Sequence, residues 1–553
     1  MVLCLTTYGA ESFAFPVPSQ SPYAAGNARS FKSRYAGDGA NALGGSPYGS
    51  SSSLSSSMLR AVPRGGGSIV ETLVSGVKVT NSADFFNVCL CCVVLAAAAA
   101  KFGLRDTAEA SSSDGGKSEV LSTPLKPMYD KLRMKFLPTF YLLRLSDWLQ
   151  GPYFYSVYAT KTLASGAPYP LDLISKLFLT GFASTAVFGP YLGRLTDRSG
   201  RKLGTILFCA TYAAAALSTK STVLAVLFAG RVLSGLGTSL LHSAPEAWLV
   251  GESNEISGSL DADNGKEAGE ELSKTFGLAY AGDSLVAIAA GQLASLAATS
   301  RGETGPFELS ALTSVAGMLL VTTLWKENKT AGGGSGDVAG SGSERSGIRE
   351  AVKTVFNDKR ILMTGLIQAA FEGAMYTFVI NWPPALEAAI ASAFGSSATV
   401  PYGGIFSCFM SCCLLGSTLF QKFSKFSVSN VAVSMLSLAT LSMVLASQAA
   451  KGLLAGATGY AGLYALSASF FAFEACVGVY FPLMGTIRSR TIPDDQRSLI
   501  MNLFGIPLNA IVVAVFLGIK RLGVDGALGV SAGALAIATA AAITLKSVLD
   551  KEK

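Results

Sequence analysis

The sequence predicts an all-α polytopic membrane protein, two six-helix bundles with one extra membrane helix ahead of them. Three observations carry that expectation. Half of the 553 residues are hydrophobic, only 14% are charged and the mean hydropathy is +0.44, too apolar for an ordinary soluble domain. Apolar runs near the roughly 17–25 residues that a membrane helix needs recur in two sets of six, from about Leu137 to Trp325 and from about Ile361 to Leu545. Between the runs Ile174–Leu192 and Leu203–Leu217 stands GRLTDRSGRK, Gly193 to Lys202, which is short enough only for a loop joining two such helices.

Taken in order, residues 1–83 are rich in Ser, Gly, Ala and Pro, include SSSLSSS at Ser51–Ser57, and show no periodicity, so a disordered tail is expected. Its few acids, together with Arg29, Lys32, Arg34, Arg60 and Arg64, also suit an organelle-targeting segment. Residues 84–101, around FFNVCLCCVVLAAAAA, read as the extra membrane helix, with a buried or interfacial segment as the alternative. Residues 102–136 read as a cytoplasmic linker ending in Lys126, Lys131, Arg133 and Lys135. Residues 137–325 form the first bundle and 361–547 the second, a parallel repeat of nearly equal halves. Between them residues 326–360, with AGGGSGDVAGSGSERSG, read as a flexible cytoplasmic tether, and 548–553 as a cytoplasmic tail.

Charge and cysteine usage narrow the class. The surplus of +7 is spread over helix ends with no basic cluster interleaved with aromatics, so it reads as positive-inside charge and no nucleic-acid partner is expected. Eight of the nine cysteines lie in apolar runs with neither zinc nor disulfide spacing, and His242 is the single histidine. No metal, cofactor or catalytic triad is therefore expected. The absence of G-x-x-x-x-G-K-[ST] leaves ATP-driven pumping without its motor. The expectation is a carrier and not an enzyme, working as a monomer in the lipid bilayer, with the plasma membrane as its site and a plastid or other endomembrane as the alternative.

In the short loop Arg194, Arg198, Arg201 and Lys202 outnumber Asp197, which places it on the cytoplasmic side. Its pattern G-x-x-x-D-R-x-G-R-K resembles the signature loop of the major facilitator superfamily. The resemblance implies that Gly193, Asp197, Arg198, Gly200, Arg201 and Lys202 form a gate and not a substrate site.

Ionisable side chains at bilayer depth are costly unless they face a cavity or a partner, so each is a site candidate. Arg144 and Asp147 lie three residues apart on one helical face and could neutralise each other or serve the pathway, with Gln150 close by. Arg231 precedes a small-residue stretch, Ser234, Gly235 and Gly237, that lets helices approach closely. Glu246 follows Pro245 and stands either in a kinked polar end or in solvent. Asp283, Glu372 and Glu474 are isolated acids in apolar sequence, able to take up and release a proton as a cavity opens, or else neutral structural groups. Glu372 and Asp147 hold comparable places in the two halves, which favours a shared central site.

Longer phrases, DWLQGPYFYSVY at Asp147–Tyr158, GRVLSGLGTSLLHSAPEAW at Gly230–Trp248, LIQAAFEGAMYTFVINWPP at Leu366–Pro384 and IPDDQRSLIMNLFGIPLN at Ile492–Asn509, resemble the molybdate-anion transporters of that superfamily. The resemblance spans about Leu137 to Leu545 and implies high-affinity uptake of molybdate, a tetrahedral dianion, by alternating access. Such an anion needs arginine forks and amide donors, which Arg231, Gln150, Gln368, Asn502 and Asn509 can supply. Where the family carries F-R-[IV]-P-L, this chain has Phe504, Gly505, Ile506 and Pro507, one cation fewer, while Arg144 is an addition. A carrier for a sugar or organic anion, and a non-transporting membrane sensor, are the alternatives.

Overall fold

A computed structural model describes residues 79–112, 125–163, 165–258, 265–329, 341–423, 426–452, 459–493 and 497–551. The expected tail as far as residue 78, residues 113–124 of the linker and 330–340 of the tether lie outside the described residues, as do the side chains of Asp197 and Asn502. The described residues are helical without a strand. We number the main helices α1 Ser82–Ser112, α2 Leu125–Gln150, α3 Leu171–Ser199, α4 Arg201–Ser218, α5 Leu224–Gly258, α6 Gly265–Arg301 and α7 Gly305–Leu324. These are followed by α8 Ser341–Asn357, α9 Lys359–Phe394, α10 Tyr402–Lys422, α11 Val428–Ala450, α12 Tyr460–Thr491 and α13 Arg497–Lys551. α13 is two spans run together at Gly523, whose φ of 68° and ψ of 175° break the helix.

Seven helical stretches are long and apolar enough to cross a membrane, and two of them, Glu267–Leu324 and Leu503–Lys551, hold two helices each. Ser82–Lys101 is one of the seven, so the extra N-terminal helix has the length and composition of a span. Its start is capped reciprocally: the Asp84 N–H donates to Asn81 Oδ1 at 2.9 Å and Asp84 Oδ2 accepts from the Thr80 N–H at 3.1 Å. α1 packs on α10 of the second bundle, where Cys408 Sγ lies 3.3 Å from the Phe86 carbonyl and Phe85 meets Tyr464 edge-on at 5.2 Å.

Three stretches read as linker or tether are helical, the first being residues 102–112, which continue α1 to Ser112. Tyr129, Leu132, Phe136 and Phe140 recur at helical spacing and are buried, so α2 extends back to Leu125. Within the tether, Ala351 and Val355 of α8 bury against Ile361, Ile500 and Phe504, an amphipathic pattern that the Gly/Ser-rich composition before it conceals.

Helices α2 to α7 pack among themselves as one bundle and α9 to α13 as the other, and they meet where α6 touches α10 and α3 touches α13. One apolar cluster runs through both bundles, whereas four smaller ones each keep to one bundle, two of them being Tyr129, Phe136 and Trp248 in the first and Val355, Ile361 and Phe504 in the second. These two lie toward the end of the molecule that carries residues 193–202, the signature face, whereas Val515, Ile519 and Ala527 cluster beside the Gly523 break, at the other end of the first α13 span; the bundles are joined toward that opposite, far face.

Candidate transport site and its gates

The first bundle holds a chain of polar side chains on α2, α4, α5 and α6. Arg144 is buried, and its Nε donates to Asp283 Oδ1 at 2.9 Å while its Nη1 stands 3.9 Å from Asp147 Oδ2. The tight partner is therefore Asp283 on α6, and the neighbour three residues along the helix is secondary. Trp148 Nε1 donates to the same Asp283 oxygen at 2.8 Å, so Asp283 is not the isolated acid that the sequence suggests. Asp147 instead accepts a short hydrogen bond from the Tyr212 hydroxyl. Glu246 is buried, not solvated, and accepts from the Tyr280 hydroxyl at 2.6 Å. Gln150 donates to Ser310 Oγ at 2.8 Å, and Ser310 donates to the Ser146 carbonyl at 2.5 Å.

Arg231 differs from these. Its guanidinium lies 4.0 Å over the Phe154 ring, and a Cβ on Gly181 would stand 2.6 Å from its Nη2. It reaches the Tyr158 hydroxyl and sits within electrostatic range of Tyr212, but no carboxylate pairs with it among the described residues, and its Nε has no partner there. A buried guanidinium without a counter-ion leaves donor capacity for an anion.

The second bundle repeats the arrangement with different residues. On α9, Glu372 accepts from the Tyr480 hydroxyl at 2.9 Å, and Gln368 Oε1 accepts from Arg488 Nη1 at 3.2 Å. Phe371 stacks on Tyr480 with centroids 3.9 Å apart. Glu372 thus has partners. The Oε2 of Glu474 has no hydrogen-bond partner among the described residues, as is also true of Glu372 Oε2, Glu246 Oε2 and Asp147 Oδ2, and this carboxyl is sealed where α12 meets α10. There a Cβ on Gly478 would lie 2.0 Å from the Cys413 carbonyl, and one on Gly416 2.0 Å from that of Ala475. Asn509 is exposed on α13 beside Ile506 and Ala510, away from these groups.

Toward the far face the bundles touch through apolar and backbone groups. The backbones of α6 and α10 cross at Gly291 and Gly403, and Ser407 Oγ donates to the Ile288 carbonyl at 2.8 Å. Tyr153 meets Tyr402 edge-on at 5.8 Å, Trp148 meets Phe406 at 6.0 Å, and Phe178 stacks on Phe516 at 5.2 Å.

The match to known proteins follows this architecture. Residues 100–462 fit the model of a family described as sugar transporters with 12 transmembrane segments. The chain is 30% identical over 387 residues to the molybdate-anion transporter of Xenopus tropicalis, an alignment covering 69% of this chain and 78% of that one. The chain belongs to the molybdate-anion transporter family of the major facilitator superfamily. The protein of the same description from Xenopus laevis is 29% identical, covering 74% and 83%. A crystal structure of the peptide transporter POT superposes with a TM-score of 0.58 at 14% identity, covering 76% of this chain and 94% of that chain, and it shares the fold.

In this major facilitator the expected ten-residue loop is helical except at Gly200, where α3 ends and α4 begins, and this turn is braced against its own bundle. Gly200, at a φ of 126°, lets the chain turn into α4 with the Glu327 carboxylate packed on its Cα, and Glu327 accepts the Lys202 and Leu203 N–H groups, each at 3.0 Å. Negative charge at a helix N-terminus is favourable there. Lys202 Nζ donates to the carbonyls of Thr322 and Trp325 at 2.9 and 2.8 Å, satisfying acceptors at the end of α7. The Arg201 N–H donates to the Asn328 carbonyl at 3.2 Å, while Arg198 is exposed. Sequence reasoning passes over Arg488, which groups with the loop cations near Arg490, and over the phenols of Tyr212, Tyr280 and Tyr480. α12 runs on to Thr491, and Arg488 falls on the same buried face as Tyr480 and Met484. That i, i+4, i+8 spacing is the available signal.

Proposed function

We propose that this facilitator is a secondary carrier that moves molybdate across a membrane by alternating access. The observation that carries the reading is Arg231, a buried guanidinium with an unpartnered Nε and no acidic counter-ion among the described residues. The relatives named molybdate-anion transporters support the choice of anion. Phe154 and Gly181 hold the guanidinium plane, so a tetrahedral oxyanion meets a fixed fork and not a mobile side chain. Around it, Arg144, Asp147, Gln150, Glu246 and Asp283 in the first bundle and Gln368, Glu372 and Arg488 in the second line the route and carry the coupling charge. Asn502 and Asn509 remain candidates through the rocking of α13.

With its short basic loops, the signature face is cytoplasmic and the membrane the plasma membrane. The conformation, joined at the far face, is the inward-facing one. Residues 193–202, Asp197 included, close the other state as a latch. A sugar or other neutral solute is the second reading, favoured by the description of the matching family and by buried acids outnumbering buried arginines.

Uptake of labelled molybdate into cells lacking their own carriers tests the proposal. Wild type should saturate at low substrate, Arg231→Ala should abolish uptake, and Arg231→Lys should weaken apparent affinity by about tenfold or more, as loss of a charge-assisted bond of about 1.5–3 kcal/mol implies. An unchanged affinity in Arg231→Lys removes Arg231 from the site. Competition by sugars and not by oxyanions moves the assignment to the second reading.

A further inference from the structure

A pocket of about 520 Å³ opens at the signature end of the second bundle, with Glu350, Lys353, Asn357, Lys359 and Val548 among the residues that line it. Its three walls are α8, the start of α9 and the last turns of α13, so it stands apart from the polar networks described above. Ala351 and Val355 hold α8 against Ile361, Ile500 and Phe504, which leaves Glu350, Lys353 and Asn357 on the side that faces the pocket.

The charges in this pocket are not matched among themselves. Arg360 Nη2 lies 2.7 Å from Asp358 Oδ2, and Asp358 also accepts the Arg360 N–H at 2.8 Å as the cap of α9, so that acid and that guanidinium occupy each other. Lys353 and Lys359 are exposed and pair with no carboxylate among the described residues. The pocket is left with two ammonium groups against one acid, Glu350.

Its depth is that of the lipid headgroups. The apolar run of α9 starts at Ile361 and that of the last span ends at Leu545, so Lys359, Arg360 and Val548 lie about 2–5 Å beyond the hydrocarbon at about 1.5 Å per residue. The rim meets lipid. Val548 follows Ile537 by about three turns on one face of the last span, and Ile537 is 53% exposed there. On α8, Phe356 is 69% exposed on the same side as Lys353. An aromatic ring beside cations on the outer face is how an interfacial helix seats itself in a bilayer surface.

We infer that this pocket binds the headgroup of an anionic phospholipid from the leaflet on the signature face. Lys353 and Lys359 take the phosphodiester, Glu350 and Asn357 accept from a headgroup hydroxyl, and Phe356 packs on the acyl chains. A bare phosphate dianion would bring two charges toward Glu350, whereas a phosphodiester brings one and carries hydroxyls that a carboxylate binds. The mixed lining therefore selects the lipid. Bound there, the lipid ties α8 to α9 and α13 and fixes that part of the tether to the second bundle. The site is separate from Arg231 and stands whether or not molybdate is the transported anion.

Native mass spectrometry of the full chain, released from phosphatidylcholine nanodiscs titrated with phosphatidylglycerol, counts the anionic lipid retained. Wild type should keep one phosphatidylglycerol more tightly than the rest. Lys353→Gln with Lys359→Gln should weaken that site by about 30-fold, at about fivefold for each lysine near the surface. Lys126→Gln with Lys131→Gln makes the same change of charge on exposed side chains at the signature end of the first bundle and should leave the site unchanged. Inorganic phosphate at matched ionic strength should not displace the lipid. Retention unaffected by Lys353→Gln with Lys359→Gln overturns the proposal. Equal losses in the two double variants also overturn it, since the lysines would then act only as diffuse surface charge, and so does displacement by inorganic phosphate, which would make the pocket a site for a soluble anion.

Discussion

The crossing of α6 and α10 at Gly291 and Gly403 gives the sharpest handle on the mechanism. A Cβ on Gly403 would stand 2.0 Å from the Gly291 carbonyl oxygen and 2.4 Å from Ser295 Oγ; one on Gly291 would stand 2.5 Å from the Gly403 carbonyl oxygen. Neither backbone oxygen can turn aside, so Gly403→Ala forces the two bundles apart at the far face. Overpacking of this kind costs about 1–3 kcal/mol, and because the contact exists only while the far face is closed, that cost falls on one state alone. The closed-to-open ratio should then fall by about 5–150-fold. Rates of thiol labelling at an engineered cysteine on each face measure that ratio, far-face labelling rising as signature-face labelling falls. Gly416→Ala is the control, since its Cβ would meet the Ala475 carbonyl at 2.0 Å inside one bundle, in a contact that rocking does not break. It should lower thermal stability without shifting the labelling ratio. If Gly403→Ala behaves as Gly416→Ala does, the glycine crossing is a packing feature and the far face is not the gate.

Two further outcomes follow from the charge networks. Arg144→Met should cost about 3–5 kcal/mol of stability by stranding Asp283, whereas the pair Arg144→Met with Asp283→Leu should recover most of it, a coupling that a double-mutant cycle in thermal unfolding reads directly; additive losses would show that the two do not interact. Glu474→Gln should leave uptake and its pH profile at wild-type values, because the α10–α12 seam closes around this carboxyl through Gly416 and Gly478, and a displaced pH profile would return it to the coupling path.

The helical plan was legible because membrane helices announce themselves locally: each span satisfies its own backbone and must be apolar over its length. The site was less so, because its bonds join residues far apart in the chain. Arg144 and Asp283 are separated by 139 positions, so the sequence offered only Asp147, three residues away, as a partner. Glu372 and Tyr480 are 108 apart, and Glu372 accordingly read as solitary. Arg488 was hidden by company, standing two residues from Arg490 at what composition marks as a helix end. Asn509 shows another limit: an amide in an apolar run suggests a cavity, yet only the packing of α13 decides which way it faces, and there it is exposed. The burial of Arg231 was easier to foresee, since an arginine among small residues near mid-span is tolerated only where it turns toward protein or a cavity and away from lipid.

The distribution of bond types bears on how the two bundles move. Every ion pair among the described residues joins groups of a single bundle, from Arg144 with Asp283 to Arg133 with Glu271 at 2.6 Å. Between the bundles stand ring edges, a glycine crossing and a serine hydroxyl on a carbonyl. Breaking a buried ion pair by separating its partners costs several kcal/mol because each charge is left uncompensated. Ring contacts cost about 0.5–1.5 kcal/mol apiece beyond their area, and a hydroxyl entering an opened cleft finds water in place of its carbonyl. The strong interactions therefore keep each bundle rigid and the weak ones hold the gate, so that a ligand bound at one site needs only modest differential affinity to tip the balance. A facilitator with its ion pairs placed across the far face would bind as well but would need far more differential affinity to move.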